Sequence, residues 1–444
     1  MPLSTFSRRT FLAAQGAALG TLLLPGGFLP ALEAATPAPP SLDDWAKVRA
    51  QFRLSKDFVH LAGFFIASHP EPVRAAIEGF RRAIDENPFL AVEHRLFEAE
   101  SENIERRICE DIAAYLGGRP EEVALTGSTT MGLALVYHGL PLKPGDEILT
   151  TTHDHVVHHE SIRLSALRSG ASVRKIALFD EAASATVEGI VARVRAAIRP
   201  ATRVLGITWV HSATGIRLPI RRIAEVVQEV NRSRAEADHV LLVVDGVHGI
   251  GAVEDAIAQM GCDFFSAGTH KWMFGPRGTG LLWAPARNWA RLTPLIPTFS
   301  DRECFDAWAE NRPVKGPTVA ARMTPGGFHA FEHQWGVSAA FRMHWQIGPA
   351  RIAGRVFELN DRCRRGLAAL PKVRLHTPLD RELAAGINCF EVAGHSPVAV
   401  VQALLAKGIV ASTSPYAVSY ARLSAGLMNT PEEVDRAVAA VARL

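Results

Sequence analysis

The chain has 444 residues, 48% of them hydrophobic and 21% charged, a balance that excludes a disordered chain or a coiled coil. Lys and Arg number 48 against 45 Asp and Glu, and a net charge of +3 excludes a surface built to coat nucleic acid. Five scattered cysteines (Cys109, Cys262, Cys304, Cys363, Cys389) form no CxxC pair and no even framework, which excludes a disulfide scaffold or zinc ribbon. A soluble, enzyme-sized protein of about two to three domains remains.

The first element is not part of the fold. Ser7-Arg8-Arg9-Thr10-Phe11-Leu12 precedes an apolar, Gly- and Ala-rich run to Leu24, and small residues follow at Ala34-Ala35. This resembles a twin-arginine export signal over 1–35, which implies passage through the twin-arginine machinery to the periplasm. The apolar run is about 14 residues, too short for the roughly 20 that span a bilayer, so no stable membrane anchor is expected.

Residues 36–70 read as a leader ending in a helix cap. From 72 to 116 the pattern is helical, interrupted at Asn87-Pro88. Strand-like runs then fall at 122–126, 146–151, 173–177, 203–208, 239–245, 264–265 and 280–283, with helical stretches at 129–139, 158–169, 187–198, 219–233 and 254–260 between them. Such alternation predicts an α/β fold with a mostly parallel, doubly covered sheet. A Pro/Gly-rich stretch at 311–327, a helix over 335–369 and a smaller α+β region complete the chain. The expected division is a large domain over 71–310 and a small one over 311–444.

Four segments concentrate the chemistry. Ser266-Ala-Gly-Thr-His270-Lys271-Trp-Met-Phe-Gly sets a lysine between a strand and a glycine-rich turn, where burial makes an amine nucleophilic toward a carbonyl. Taken alone, Lys271 is more readily read as a surface lysine after a strand. Leu241-Leu-Val-Val-Asp245-Gly-Val-His248 places an acid at the end of an apolar strand, where ligands bind in parallel sheets. A helix cap or metal ligand is the alternative for Asp245. Thr126-Gly-Ser-Thr129-Thr130-Met131 opens a helix after a strand, either as a phosphate site or as a simple cap. Thr151-Thr-His-Asp-His155 follows another strand and could stack an imidazole on a flat ring.

In this order and spacing the four segments resemble the class V aminotransferase family of fold-type I pyridoxal phosphate enzymes, over roughly 55–444. That family includes cysteine desulfurases, isopenicillin N epimerase-like proteins, kynureninase-like hydrolases and aminotransferases. The resemblance implies pyridoxal 5'-phosphate as cofactor, an α-amino acid as substrate and a homodimer. It implies that Lys271 carries the internal aldimine and that Asp245 faces the pyridine nitrogen, keeping it protonated as an electron sink. It also implies that His248 and Ser212 approach the phenolic oxygen, that His155 stacks on the ring, and that Thr129, Thr130 and His270 hold the phosphate. Arg422 would clamp the substrate carboxylate.

Some positions depart from the family pattern. Met131 replaces an acid, and Gly268 stands where relatives place a phosphate-binding Ser or Asn, so Thr269 or a neighbouring subunit's contribution, at Thr324, is expected instead. Desulfurases of the family use a mobile cysteine before the substrate arginine, yet 408–422 contains none and Cys389 sits in an apolar strand pattern. The expected reaction is therefore aminotransferase-like, with an epimerase or C–S lyase as the alternative. Two further readings stand outside the family. One is a metal-dependent hydrolase using the cluster His153-Asp154-His155-Val-Val-His158-His159-Glu160, although Val157 occupies the position where such enzymes need Asp. The other is a non-catalytic exported binding protein. No metal is expected in the preferred reading.

Replacement of Arg8 and Arg9 by lysine is expected to trap the precursor inside the cell. Fractionation and immunoblotting measure this, and normal export of the double variant contradicts the signal.

Overall fold

In the computed structural model, residues 41–96 and 103–444 are described, and Leu42–Leu444 form one unit. The expected export signal lies outside the described residues. Among those described, no helix is long and apolar enough to cross a membrane.

Among the described residues the strands, β1 to β13 in chain order, are Val59–His60, Val123–Thr126, Glu147–Thr151, Ser172–Ile176, Thr202–Thr208, Leu241–Asp245, Phe264–Gly268, Gly280–Trp283, Val373–Leu375, Asn388–Val392, Ile409–Val410, Ser412–Thr413 and Ala421–Leu423. Seven form the large sheet in the order β2-β8-β7-β6-β5-β3-β4. Only β8 runs antiparallel, against β7 and β2. Strand β6 runs Leu-Leu-Val-Val before Asp245, and β5 is buried at every residue but Arg203, as strands covered on both faces are. This is the expected α/β architecture. A four-stranded antiparallel sheet, β12-β13-β10-β9, lies in the C-terminal region, and β1 pairs in parallel with β11.

The carboxyl ends of β2, β3, β5, β6 and β7 meet at one edge, and every segment singled out above leaves the sheet there. The helix Thr129–Gly139 follows β2, with Ser128 capping it by accepting the Met131 N–H at 3.2 Å. The helix Val156–Ser169 follows β3, and its cap is His155, whose Nδ1 accepts the Val157 N–H at 3.3 Å.

Two expected helices differ. The single helix over 335–369 is three, Phe331–Trp335, Val337–Ile347 and Pro349–Ala368. Gly348 sits at φ 98° immediately before Pro349, whose ring removes the donor that would continue the helix. The stretch 254–260 supplies only a 3-10 turn at Ile257–Gln259.

Asn360, fully buried in the last of these helices, ties it to the C-terminal sheet. Its Nδ2 donates to Val356 O (2.7 Å) and Ala425 O (2.8 Å), while Oδ1 accepts from Asn388 Nδ2 (2.9 Å) and the Ala425 N–H (3.0 Å). Asn360→Ala takes this partner from the buried Ala425 N–H and C=O and from one donor of Asn388, and is expected to cost about 2–3 kcal/mol. The urea midpoint should fall with an unchanged slope; an unchanged midpoint contradicts the role.

Candidate active site

The site is built around two opposite charges taken out of water. Asp245, at the end of β6, is 2% exposed, and its Oδ1 accepts the Val247 N–H at 3.1 Å. Burial pushes its carboxyl up to about 6, against the pull of Lys271 and His155. Lys271 stands three residues past the end of β7. Burial brings its amine down to about 8; Asp245 resists that shift and the Arg422 cation adds to it. An amine in this range is about one-tenth unprotonated at pH 7, far more than an ordinary lysine, and that free-base form is what carbonyl attack or proton abstraction requires. Lys271 Nζ shares a 3.1 Å hydrogen bond with His248 Nε2, and burial keeps that imidazole neutral, well below its usual range.

The remaining expected residues surround this pair. Burial likewise lowers His155, while Asp245 pulls the other way; with Nδ1 accepting from Val157, the ring proton falls on Nε2. Arg422, on β13, is 4% exposed. It donates from Nε to Ser412 Oγ (3.2 Å) and from its terminal nitrogens to Ser212 O (2.9 Å) and Thr413 O (2.6 Å). A guanidinium has five N–H donors, so one remains on each terminal nitrogen, as a carboxylate would use. Its carbon lies 4.7 Å from the Phe64 ring centroid, and Phe64 in turn packs at 5.8 Å on His248. Ser212 is buried and shares a 2.8 Å hydrogen bond with the Tyr416 hydroxyl.

A space shaped by glycine lies beside Lys271. Thr129 is buried and its Oγ1 accepts the Gly268 N–H at 2.7 Å. A Cβ at Gly268 would stand 2.9 Å from the His270 ring and 3.3 Å from Thr129 Oγ1, so the missing side chain is what keeps this gap open. The first-turn N–H groups of the helix Thr129–Gly139 add donors, and Thr130 lies exposed on that turn. Burial brings His270 down to about 4, leaving it neutral.

These features fit the phosphorylated pyridine implied by the sequence. Asp245 is a buried carboxylate, the group that pairs with a protonated ring nitrogen. His248 Nδ1 is buried without a hydrogen bond, and the Gly268 gap is lined by phosphate-type donors.

Two expectations are corrected. Thr269 does not replace the missing phosphate ligand, because its hydroxyl turns into the following loop, bonding Thr279 Oγ1 (2.5 Å) and Pro276 O (3.4 Å). Thr324 is buried within this chain, where its Oγ1 accepts the Leu125 N–H of β2 at 3.0 Å.

The imidazoles of the alternative metal cluster diverge. His153 stacks on Phe179 with centroids 4.0 Å apart, His158 bonds the Tyr137 hydroxyl at 2.6 Å, and His159 bonds Thr151 O at 2.8 Å. Among the described residues no group of three or more His, Cys, Asp or Glu is placed to hold a metal ion.

The sequence reading missed three residues. Phe64 lies in a loop outside every motif, and Tyr416 lies in the 408–422 segment, which was read only for its lack of cysteine. Asp154 was read only as a metal ligand, yet it braces the loop carrying His155. Its Oδ2 accepts from Thr150 Oγ1 (2.9 Å), Thr151 N–H (2.9 Å) and Thr151 Oγ1 (2.7 Å), and Oδ1 from Thr208 N–H (2.7 Å). Despite burial, His158, His211 and these donors hold its carboxyl down at about 2.

The charges predict a pH dependence. Reductive labelling of the apoprotein at Lys271 by an aldehyde and borohydride is expected to rise with pH and level off above about 8 rather than near the usual lysine value. Asp245→Asn removes the anion that favours the ammonium, so the curve should move to lower pH. Mass spectrometry of the labelled peptide reads both, and a curve moving upward in the variant contradicts the pairing.

Comparison with known proteins agrees with this geometry. Residues 67–437 match the family model described as aminotransferase class-V. The chain is 29% identical to isopenicillin N epimerase of Streptomyces clavuligerus over 88% of its own length and 96% of that protein. It is 26% identical to a probable cysteine desulfurase of Xylella fastidiosa, over 92% and 97% of the two chains. Among solved structures, the cystine C–S lyase C-DES in complex with cysteine persulfide superimposes with a TM-score of 0.74 at 20% identity, covering 87% of this chain and 98% of that one, a likeness of fold. The chain belongs to the class-V aminotransferase family, an enzyme family dependent on pyridoxal phosphate.

Proposed function

We propose that the protein is a pyridoxal phosphate enzyme that epimerises an α-amino acid at Cα. The observation that carries this is Lys271, its amine brought to about 8 beside buried Asp245 and within electrostatic reach of Arg422. Asp245 would hold the ring nitrogen, Thr129, the first turn of its helix and His270 the phosphate, and Arg422 the substrate carboxylate. The bound cofactor supplies a cationic ring that stabilises negative charge at Cα. Lys271 then takes the Cα proton, Arg422 fixes which bond lies over the ring, and neutral His155 covers the ring without adding charge.

One observation favours epimerisation over the transamination first expected, and a second disfavours desulfuration. The relatives found carry the names of epimerases and desulfurases, and the epimerase match spans nearly all of both chains. The chain also lacks the desulfurase nucleophile. Segment 408–422 holds no cysteine, and Cys389, fully buried on β10, has its thiol pushed up to about 12 by burial. A second reading, β-elimination by C–S cleavage, begins with the same proton removal and fits the missing cysteine equally. We infer further that the enzyme is a homodimer exported to the periplasm. Exposed Phe65, Phe89, Trp308 and Phe328 support self-association, and Arg8-Arg9 supports export.

The test is incubation of the cofactor-loaded protein with chiral proteinogenic L-amino acids, followed by chiral chromatography and keto-acid assay. A D-enantiomer without keto acid is expected, and Lys271→Ala should produce none. Arg422→Lys keeps the charge but loses the two-point fork, worth roughly 1.5–3 kcal/mol or about ten- to a hundredfold in kcat/KM. Keto acid with ammonia would establish the lyase instead, and keto acid with amino transfer would restore transamination.

A further inference from the structure

Arg422 is flanked by two different proton-carrying groups. On one side its guanidinium lies on Phe64, which packs on His248, the hydrogen-bond partner of Lys271. On the other side it donates to Ser212 O, and Ser212 Oγ meets the Tyr416 hydroxyl at 2.8 Å. The Tyr416 ring also stands edge-on to His155, centroids 6.1 Å apart at 80°, so it borders the imidazole expected to cover the cofactor. Lys271 and Tyr416 therefore approach the carboxylate clamp through separate sets of neighbours. Tyr416 belongs to the turn at 414–419 between β12 and β13, the segment whose end carries Arg422 and which lacks a cysteine.

We propose that Tyr416 is the second proton-transfer residue of the site, serving the face of the substrate Cα opposite Lys271. This rests on the epimerase reading and deepens it. Inversion requires a proton to leave one face and another to arrive on the other. The Cα–H bond breaks and its proton passes to Lys271 Nζ, while the electron pair stays at Cα, stabilised by the bound cofactor. The Tyr416 O–H then breaks and its proton joins that pair on the opposite face. The phenolate is reprotonated, the Lys271 ammonium gives its proton to solvent, and nothing is oxidised or reduced. The reverse direction starts from the form of equal total charge that has the ammonium on Lys271 and the phenolate on Tyr416: the phenolate takes the Cα proton and the ammonium returns one to the opposite face. Burial pushes the phenol up to about 12, which keeps it protonated and ready to donate, and Ser212 steadies its oxygen. A single base on one face would return the proton where it was taken and leave the configuration unchanged.

The test compares wild type and Tyr416→Phe in deuterated water on the chiral proteinogenic amino acids in both L and D forms. Proton NMR follows loss of the Cα signal and chiral chromatography follows inversion. The wild type should exchange and invert both enantiomers of its substrate. Y416F should keep Cα exchange from the enantiomer that Lys271 serves and lose exchange from the other, with inversion slowed by about a hundredfold or more. Pyridoxal phosphate uptake by Y416F apoprotein, read by tryptophan fluorescence, should match wild type. Equal inversion by the variant, equal loss of exchange from both enantiomers, or failure to take up the cofactor each overturns the proposal. Wild-type protein that exchanges neither enantiomer removes the epimerase reading and this proposal with it.

Discussion

A lysine and an aspartate buried at the ends of adjacent parallel strands set the terms for the rest of this molecule. Removing either from water disfavours its charge, so Asp245 rises to about 6 and Lys271 falls to about 8, and the two values draw toward neutrality from opposite directions. Neither shift is available on an open surface. The sheet supplies the burial: β6 and β7 pair side by side, Asp245 is the last residue of one, and Lys271 follows the other by three residues. Arg422 comes from a different sheet and adds the third charge, lowering Lys271 further while keeping donors free for an anion.

The surrounding imidazoles answer the same constraint. With Lys271, Arg422 and a cofactor ring in one small space, further cations would be costly. His155, His248 and His270 are all held below the ordinary histidine range, with burial the first cause in each case. They can stack, accept or donate without adding charge. The fixed anion Asp154 sits one layer behind, where it organises the ends of β3 and β5 through four hydrogen bonds. A His-rich segment that looks like a metal cluster in the linear chain is thus a loop whose side chains go to separate partners.

Much of this was legible locally. Asp245 ends a strand run that periodicity marks and Lys271, Thr129 and His155 each follow one, and parallel topology brings such strand ends together. The helix Thr129–Gly139 has the expected bounds because Ser128 caps it and the chain turns at Leu140. What failed was nonlocal or hidden in a turn. Tyr416 reaches Ser212 across 204 positions, and nothing near either residue announces the pairing. Thr269 looked free for phosphate until the turn at Pro276–Thr279 claimed its hydroxyl. The apolar pattern over 335–369 continues through Gly348-Pro349, so periodicity overlooked a break that backbone geometry enforces. The choice among transamination, epimerisation and elimination is made by pocket shape, which no motif encodes.

The account turns on one atom, Nζ of Lys271. Purified protein loaded with pyridoxal phosphate, reduced with borohydride and digested, should yield a single pyridoxyl-modified peptide containing Lys271, with visible absorbance lost on reduction. A modified peptide centred on any other lysine, or no modification at all, would contradict the assignment of the site.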